Sequence, residues 1–144
     1  MNNTYTIGEL AKKMNVSIHT LRYYDNEGLL PFVQRKDNGQ RLFTQRDLIF
    51  LNTIECLKST GMPLKEIKQY IDWCIEGMPT VPQRYELFLE RKAIVEEQIA
   101  QMQKILATIN YKCNFYKNAI ETGNVDVCES ERKILAEKIL DGTL

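Results

Sequence analysis

The stretch of sequence that decides the fold runs from Thr6 to Gly28 and reads TIGELAKKMNVSIHTLRYYDNEG. Thr6 followed three residues later by Glu9 is the capping-box pattern of a helix start, and apolar residues then recur at helical spacing. Ser17 can cap a second helix, and Gly28 supplies a residue that readily ends it. Two short helices joined by a turn of three or four residues predict a helix-turn-helix.

The segment that follows changes from helical to strand periodicity. Residues 32–36 and 41–44 are predicted strands, and Asn38-Gly39 between them is a strong signal for a hairpin turn. A two-stranded hairpin is not stable by itself, because it cannot bury enough apolar surface. We therefore expect it to lean on the helices as a wing.

Two further helices should follow the wing. The first is predicted from Thr44 to about Thr60, with either Cys56 or Leu57 turned inward, and the second from Leu64 to about Ile75. The segment after them contains both glycine and proline, which interrupt helices, so it is the predicted domain boundary.

A run without glycine or proline then extends from Arg84 to about Ala119, with apolar residues in a heptad repeat. Heptad patterning sustained over this length predicts one long helix that pairs with a second copy of the chain. The alternative is a helix packed along its own domain, but a helix of about 35 residues would extend roughly 50 Å, too far for so small a fold. The predicted dimer interface consists of Tyr85, Phe88, Lys92, Val95, Ile99, Met102, Leu106, Ile109, Cys113 and Tyr116.

The predicted architecture is mainly α-helical. It comprises a winged helix-turn-helix domain over residues 1–76, a linker over 77–83, a coiled-coil dimerisation helix over 84–120 and a short helical tail over 121–144. The net charge of the 144 residues is zero, but the first 70 hold ten basic and seven acidic side chains, and the rest hold nine and twelve. The first half is therefore the half suited to face phosphates.

The sequence shows no secretion signal and no apolar run that could cross a membrane, so a cytoplasmic location is expected. His19 is the sole histidine and has no obvious catalytic partner, so neither an enzyme nor a cofactor is predicted.

Five ordered blocks in the first 70 residues resemble the MerR family of transcriptional regulators. They read YTIGELAKK from Tyr5, VSIHTLRYYD from Val16, EGLLP from Glu27, NGQRLF from Asn38 and IECLKSTGMPLKEI from Ile54. The resemblance implies a homodimeric winged helix-turn-helix protein, joined by an antiparallel pair of long helices. Such a protein would bend and untwist promoter DNA so that RNA polymerase can engage both promoter elements.

The family pattern also implies which side chains reach DNA. The second helix would enter the major groove, with its first residues near base edges or phosphates, and the wing and third helix would add backbone contacts. Arginine and lysine neutralise phosphates, and a tyrosine hydroxyl adds a directional donor. The residues so assigned are Ser17, His19, Thr20, Arg22, Tyr23, Arg35, Lys36, Arg41 and Lys58.

Relatives that respond to aldehydes or thiol-reactive electrophiles carry a cysteine in the third helix, and Cys56 stands at that position here. The residues leave two interpretations open, a reactive sensor thiol or a thiol packed in the core. A thiol-ligated metal-responsive regulator is an alternative, although Cys74, Cys113 and Cys128 are not spaced like the family's metal loop. Two further alternatives are a constitutive architectural DNA-binding protein and an interaction module whose helix-turn-helix is vestigial.

Overall fold

The computed structural model describes residues 3–127 and 129–144. The chain is mainly helical, as predicted. Its elements are, in order, β1 (Thr4–Tyr5), α1 (Ile7–Met14), α2 (Ile18–Asn26), β2 (Gln34–Arg35), β3 (Arg41–Thr44), α3 (Gln45–Ser59), α4 (Leu64–Glu76), a 3-10 turn (Met78–Thr80), α5 (Val81–Thr122) and α6 (Glu129–Asp141). None of the helices described is both long enough and apolar enough to cross a membrane.

Local hydrogen bonds explain where α1 and α2 begin. The Thr6 hydroxyl accepts from the amide of Glu9 at 3.2 Å, and the Glu9 carboxylate accepts from the amide of Thr6 at 2.9 Å. Asn15 ends α1 in the left-handed region, with φ of 53°. The Ser17 hydroxyl then accepts from the amide of Thr20 at 3.0 Å and caps α2. These contacts confirm both predicted helix starts.

The strands form a three-stranded antiparallel sheet in the order β1-β3-β2, with Tyr5 opposite Phe43 and Arg35 opposite Arg41. β1 was not predicted, because two residues carry no readable periodicity and form a strand only by pairing with β3. The first predicted wing strand, residues 32–36, shortens to β2. Its early residue Phe32 instead packs against Phe50 of α3, with ring centroids 5.4 Å apart.

The hairpin turn forms where Asn38-Gly39 predicted it. The Lys36 carbonyl accepts from the amide of Gly39, and the Lys36 amide donates to the carbonyl of Gln40, both at 2.8 Å. Gly39 has a φ of +84°, whereas Asn38 is not left-handed. The loop therefore has three residues, Asp37 to Gly39, with the glycine as a bulge.

The core of the first half is formed by apolar side chains of α1 to α4, of β3 and of the segments that connect them, with Phe43, Leu51 and Ile54 completely buried. In α3, Leu57 is also buried, while Cys56 is exposed. The buried stripe of α3 includes Leu51, Ile54 and Leu57 at helical spacing but does not extend to Cys56. The interpretation of Cys56 as a packed core thiol is therefore wrong within this chain.

The predicted linker over 77–83 contains the 3-10 turn and the first residues of α5. The 3-10 turn leads directly into α5, which begins at Val81 and ends at Thr122 instead of spanning 84–120. Pro82 is tolerated there, because amides in the first turn of a helix have no intrahelical partner. The Thr80 hydroxyl and the Arg84 guanidinium both donate to the carbonyl of Gly77, at 2.8 and 2.7 Å. The chain forms two compact units, one ending at Lys92 and the other beginning at Ala93.

Candidate nucleic-acid interface

Helix α2 presents one apolar and one polar face. Leu21 and Tyr24 are buried in the core, whereas His19, Arg22 and Tyr23 are exposed. The three exposed side chains are free of the core because helical spacing turns them away from the buried pair. The arrangement agrees with the predicted recognition helix, although contact of these residues with DNA stays a prediction.

Ser17 and Thr20 have local roles at the start of α2. Besides capping the helix, the Ser17 hydroxyl lies 2.8 Å from the hydroxyl of Thr20. Both hydroxyls still have further hydrogen-bonding capacity, since each offers one donor and two acceptor positions. The amino end of α2 also carries the positive end of the helix dipole, which suits it to phosphate oxygens.

A cleft of about 380 Å³ joins α2 to the wing. It is lined by Ile7, Arg22, Asn38, Gly39, Gln40 and Arg41. The fold thus brings Arg22 of the predicted recognition helix close to the wing hairpin. Arg22 is exposed on this cleft, and an exposed arginine can contact the phosphate backbone, which carries regularly spaced negative charge.

The two wing arginines differ in their solvent exposure and in their hydrogen-bond partners. Arg41 donates through Nε to Oδ2 of Asp25 at 2.7 Å and through a terminal nitrogen to Oδ1 of Asn26 at 3.3 Å. Its side chain is only 15% exposed, against 54% for Arg35. Arg35 donates to the carbonyl of Gly39 at 2.9 Å. Arg41, predicted to contact phosphate, is therefore held against α2 by an acidic partner that the sequence did not reveal.

Lys58 lies at a junction between α2 and α3. Its ammonium donates to the phenolic oxygen of Tyr24 at 3.3 Å, and that hydroxyl donates to Glu55 at 2.8 Å. Burial, reinforced by Glu55, raises the pKa of the Tyr24 phenol above its usual range. The phenol stays protonated and links the two helices, while Lys58 remains exposed on the surface.

Lys36 lies at the exposed wing tip, and two lysines that the sequence did not indicate as DNA contacts lie near Tyr23. A second cleft of about 340 Å³ is lined by Tyr23, Glu27, Leu29, Leu64, Lys65 and Lys68. Lys68 is paired with Asp72, whereas Lys65 is exposed in the first turn of α4. The sequence could not place Lys65 and Lys68 near Tyr23, because the cleft exists only where α2 and α4 lie next to each other in the fold.

Within the described residues, no group of three or more histidine, cysteine or acidic side chains is placed to hold a metal ion. Cys56 and Cys113 are exposed free thiols, and Cys74 is a half-buried one. Cys128, the fourth cysteine of the sequence, lies outside the described residues. The metal-responsive alternative therefore gains no support from the described side chains.

Most of the predicted dimer residues on α5 are exposed in the single chain. Seven of them are at least 39% exposed, namely Tyr85, Phe88, Ile99, Met102, Leu106, Ile109 and Tyr116. Phe88 also contacts Tyr70 of α4 edge to face, with ring centroids 5.4 Å apart. Val95 is half-buried, while Lys92 and Cys113 are exposed. Exposed apolar side chains that recur along one helix are typical of an interface.

Comparison with known proteins agrees with this geometry. Residues 5–73 match the family described as MerR HTH family regulatory protein, and residues 50–111 match the family described as MerR, DNA binding. An uncharacterized HTH-type transcriptional regulator of Haemophilus influenzae is 43% identical over 122 residues, covering 85% of this chain and 90% of that protein. These relatives are transcriptional regulators and not enzymes.

Two solved structures are similar over most of the chain. One is HiNmlR, a MerR family regulator lacking the sensor domain, bound to promoter DNA. It has a TM-score of 0.79 and 43% identity, covering 85% of this chain and 93% of that one. The other is a MerR family regulator from Bacillus thuringiensis, with a TM-score of 0.71 and 43% identity over 78% of this chain and 98% of that one.

Proposed function

The chain belongs to the MerR family of DNA-binding transcriptional regulators, and on that premise we propose that it acts as a homodimer that distorts promoter DNA. The observation that carries the proposal is the cleft that places Arg22 of α2 beside the wing hairpin. In a winged helix-turn-helix the recognition helix enters the major groove, and the wing follows the adjacent backbone. The similar protein HiNmlR is bound to promoter DNA.

The DNA contacts we propose lie on three elements. α2 contributes Ser17, His19, Thr20, Arg22 and Tyr23, the wing contributes Arg35, Lys36 and Arg41, and α3 contributes Lys58. All of them except Arg41 and Thr20 are exposed. Exposed cations that are not consumed by internal ion pairs gain most from phosphate contact, because they lose little on leaving water.

The proposed homodimer rests on the apolar surface of α5. Side chains such as Met102 and Ile109, at 66% and 51% exposed, would otherwise leave apolar area in water. Burying apolar area is favourable by about 25 cal/mol per Å², so a second α5 packed on this surface would stabilise it. A dimer presents two recognition helices to two half-sites, and bending the DNA between them is how we propose that RNA polymerase gains access. Action on promoter DNA also favours the cytoplasmic location expected from the sequence.

Gating by chemical modification of Cys56 is the second part of the proposal. The thiol is exposed on α3, where an electrophile or oxidant can reach it. The neighbouring residue, Glu55, accepts a hydrogen bond from Tyr24 of α2. An adduct at Cys56 would therefore alter α3 beside Glu55, the residue through which α3 contacts the predicted recognition helix.

Transcription in vitro tests the proposal, with wild type, Cys56→Ser and the control Cys74→Ser, which removes a half-buried thiol outside the predicted dimer interface. Each is assayed on the protein's own upstream DNA before and after methylglyoxal or diamide. We expect wild type and Cys74→Ser to respond and Cys56→Ser not to respond, while all three bind the DNA. If Cys56→Ser responds like the wild type, the thiol gate is wrong. If no variant responds, a constitutive DNA-binding protein is the better description.

Permanganate footprinting on the same DNA tests the distortion separately, because the reagent oxidises thymines that have become unstacked. We expect reactive thymines between the two half-sites when the dimer is bound. Protection from nuclease without any reactive thymine would contradict promoter distortion, and would leave DNA binding itself intact.

A further inference from the structure

The wing carries an unusual pair of like charges. Arg35 of β2 and Arg41 of β3 lie directly opposite each other in the antiparallel register. Directly opposed side chains project from the same face of a sheet, and like charges in that arrangement are destabilising. An anion close to both arginines therefore stabilises the hairpin in this register.

Asp25, in the last turn of α2, is that anion. Its Oδ2 accepts from Nε of Arg41 at 2.7 Å, and the same oxygen lies 3.7 Å from a terminal nitrogen of Arg35. The side chains of Asp25 and Arg41 are only 18% and 15% exposed, so solvent screens their attraction less than that of a surface pair. One carboxylate on α2 thus faces both wing arginines.

Apolar packing does not hold the outer part of the wing. Both residues of β2 are exposed, and so is the whole loop from Lys36 to Gln40. β3 contributes a buried side chain, Phe43, but at the end far from the loop. The contacts from Asp25 to the two arginines, with the one from Asn26 to Arg41, are therefore placed to set the angle between the wing and α2.

We propose that Asp25 is a positioning residue for DNA binding, which holds the wing at the angle where wing and recognition helix contact one duplex together. The inference rests on the proposed function, in which both elements contact DNA. Asp25 acts through Arg41 and Arg35 and need not touch DNA. A flexible wing would have to be ordered on binding, and that ordering would weaken the affinity.

The change in DNA affinity that we expect on removing the Asp25 charge is opposite in sign to the change that simple electrostatics predicts. Asp25 is a negative charge near a surface that must approach phosphates, and removing it would also release two arginines. Simple electrostatics therefore predicts stronger DNA binding and a steeper salt dependence for Asp25→Asn. Positioning predicts weaker operator binding and a shallower salt dependence, because the wing contacts are lost.

Fluorescence anisotropy on the full chain measures the affinity and its salt dependence. It is carried out with labelled operator and with unrelated duplex DNA. The matched control is Asp37→Asn, which makes the same change of charge in the exposed wing loop. We expect Asp25→Asn to bind operator about tenfold more weakly, with affinity for unrelated DNA unchanged or higher. Asp37→Asn should bind both DNAs at least as tightly as the wild type. Asp25→Glu retains the carboxylate and should recover most of the operator affinity.

Amide hydrogen exchange without DNA separates positioning from folding. In Asp25→Asn we expect faster exchange of the Lys36 amide, which bonds to Gln40 across the wing, and unchanged protection in α3. The proposal is overturned if Asp25→Asn binds operator like Asp37→Asn. It is also overturned if the wing amide exchanges faster with no loss of operator affinity, or if protection in α3 is lost, since Asp25 would then act on folding.

Arg22→Ala distinguishes a failure of this inference from a failure of the proposed interface. Arg22 is exposed on α2 and lines the cleft beside the wing. Loss of operator affinity in Arg22→Ala together with wild-type binding by Asp25→Asn would reject only the positioning role. Wild-type binding by Arg22→Ala would reject the interface itself.

Discussion

At the scale of single residues, Asp47 shows how tertiary packing changes the chemistry of a helix cap. Its Oδ2 accepts from the amide of Thr44 at 2.7 Å and from the Thr44 hydroxyl at 3.2 Å. The side chain is completely buried, and within the described residues Oδ1 has no hydrogen-bond partner. Burial raises the pKa of this carboxyl, against the opposite effect of the bonds from Thr44.

A raised pKa in the folded state means that the fold favours the protonated acid. The contribution of Asp47 to stability is then fully present below its unfolded pKa of 3.8 and is lost as pH rises through the folded value. Asp47→Asn stays neutral and can still accept from Thr44. We therefore expect the free energy of unfolding of the wild type, minus that of the variant, to fall as the pH rises above the unfolded pKa of 3.8. Urea denaturation at a series of pH values measures this difference, and a difference that does not change with pH would contradict the prediction.

At the scale of one element, the wing hairpin depends on the conformation of a single glycine. Gly39 has a φ of +84°, and a side chain added there would meet open space. A substitution is therefore disfavoured by backbone strain and not by a clash. Asparagine tolerates the left-handed region better than alanine does, because its side chain can hydrogen-bond locally.

Gly39→Ala should therefore weaken operator binding more than Gly39→Asn does. The cost of holding alanine in the left-handed region is about 1–2 kcal/mol, which corresponds to roughly a five- to thirtyfold loss if the turn must form on DNA. The thermal unfolding midpoint should change little for either variant, because the loop buries no core residue. Anisotropy titrations measure the operator affinities, and thermal unfolding curves measure the midpoints. Equal affinities for the two variants would show that the turn conformation does not limit binding.

At the scale of the whole molecule, α5 carries apolar side chains that the chain itself leaves exposed. The helix has 42 residues, none of them buried, and would extend roughly 60 Å at 1.5 Å per residue. Its exposed apolar residues include several outside the predicted set, namely Leu89, Ile94, Ile105 and Ile120. A second copy of the chain is the partner that we propose for this surface.

A charge placed among the apolar residues of the predicted interface should prevent dimerisation. Ile109→Asp would place two carboxylates in an apolar contact, one from each copy, and an unpaired buried charge costs several kcal/mol. Lys104→Asp introduces the same residue on α5 outside the predicted dimer interface and is the matched control. Sedimentation velocity should show a monomer for Ile109→Asp and a dimer for the wild type and Lys104→Asp. A dimer in all three would mean that Ile109 is not in the interface.

The amino-acid sequence by itself determined the features that depend on neighbouring residues. The Thr6 capping box, the Ser17 cap and the Gly39 turn were all readable, because their hydrogen bonds join residues at most four positions apart. The length of α5 was readable for the same reason, since helical periodicity is a local property. Its first turn was missed because Pro82 reads as a break, although a proline is tolerated at that position.

Only the tertiary structure decided which side chains meet across the fold. The choice between Cys56 and Leu57 as the buried residue of α3, and the pairing of Asp25 with Arg41, depend on contacts between distant segments. The pairing of β1 with β3 joins residues nearly forty positions apart, and neither strand predicts it. Such contacts form because the whole core packs in one arrangement that buries its apolar surface, and no local pattern encodes that arrangement.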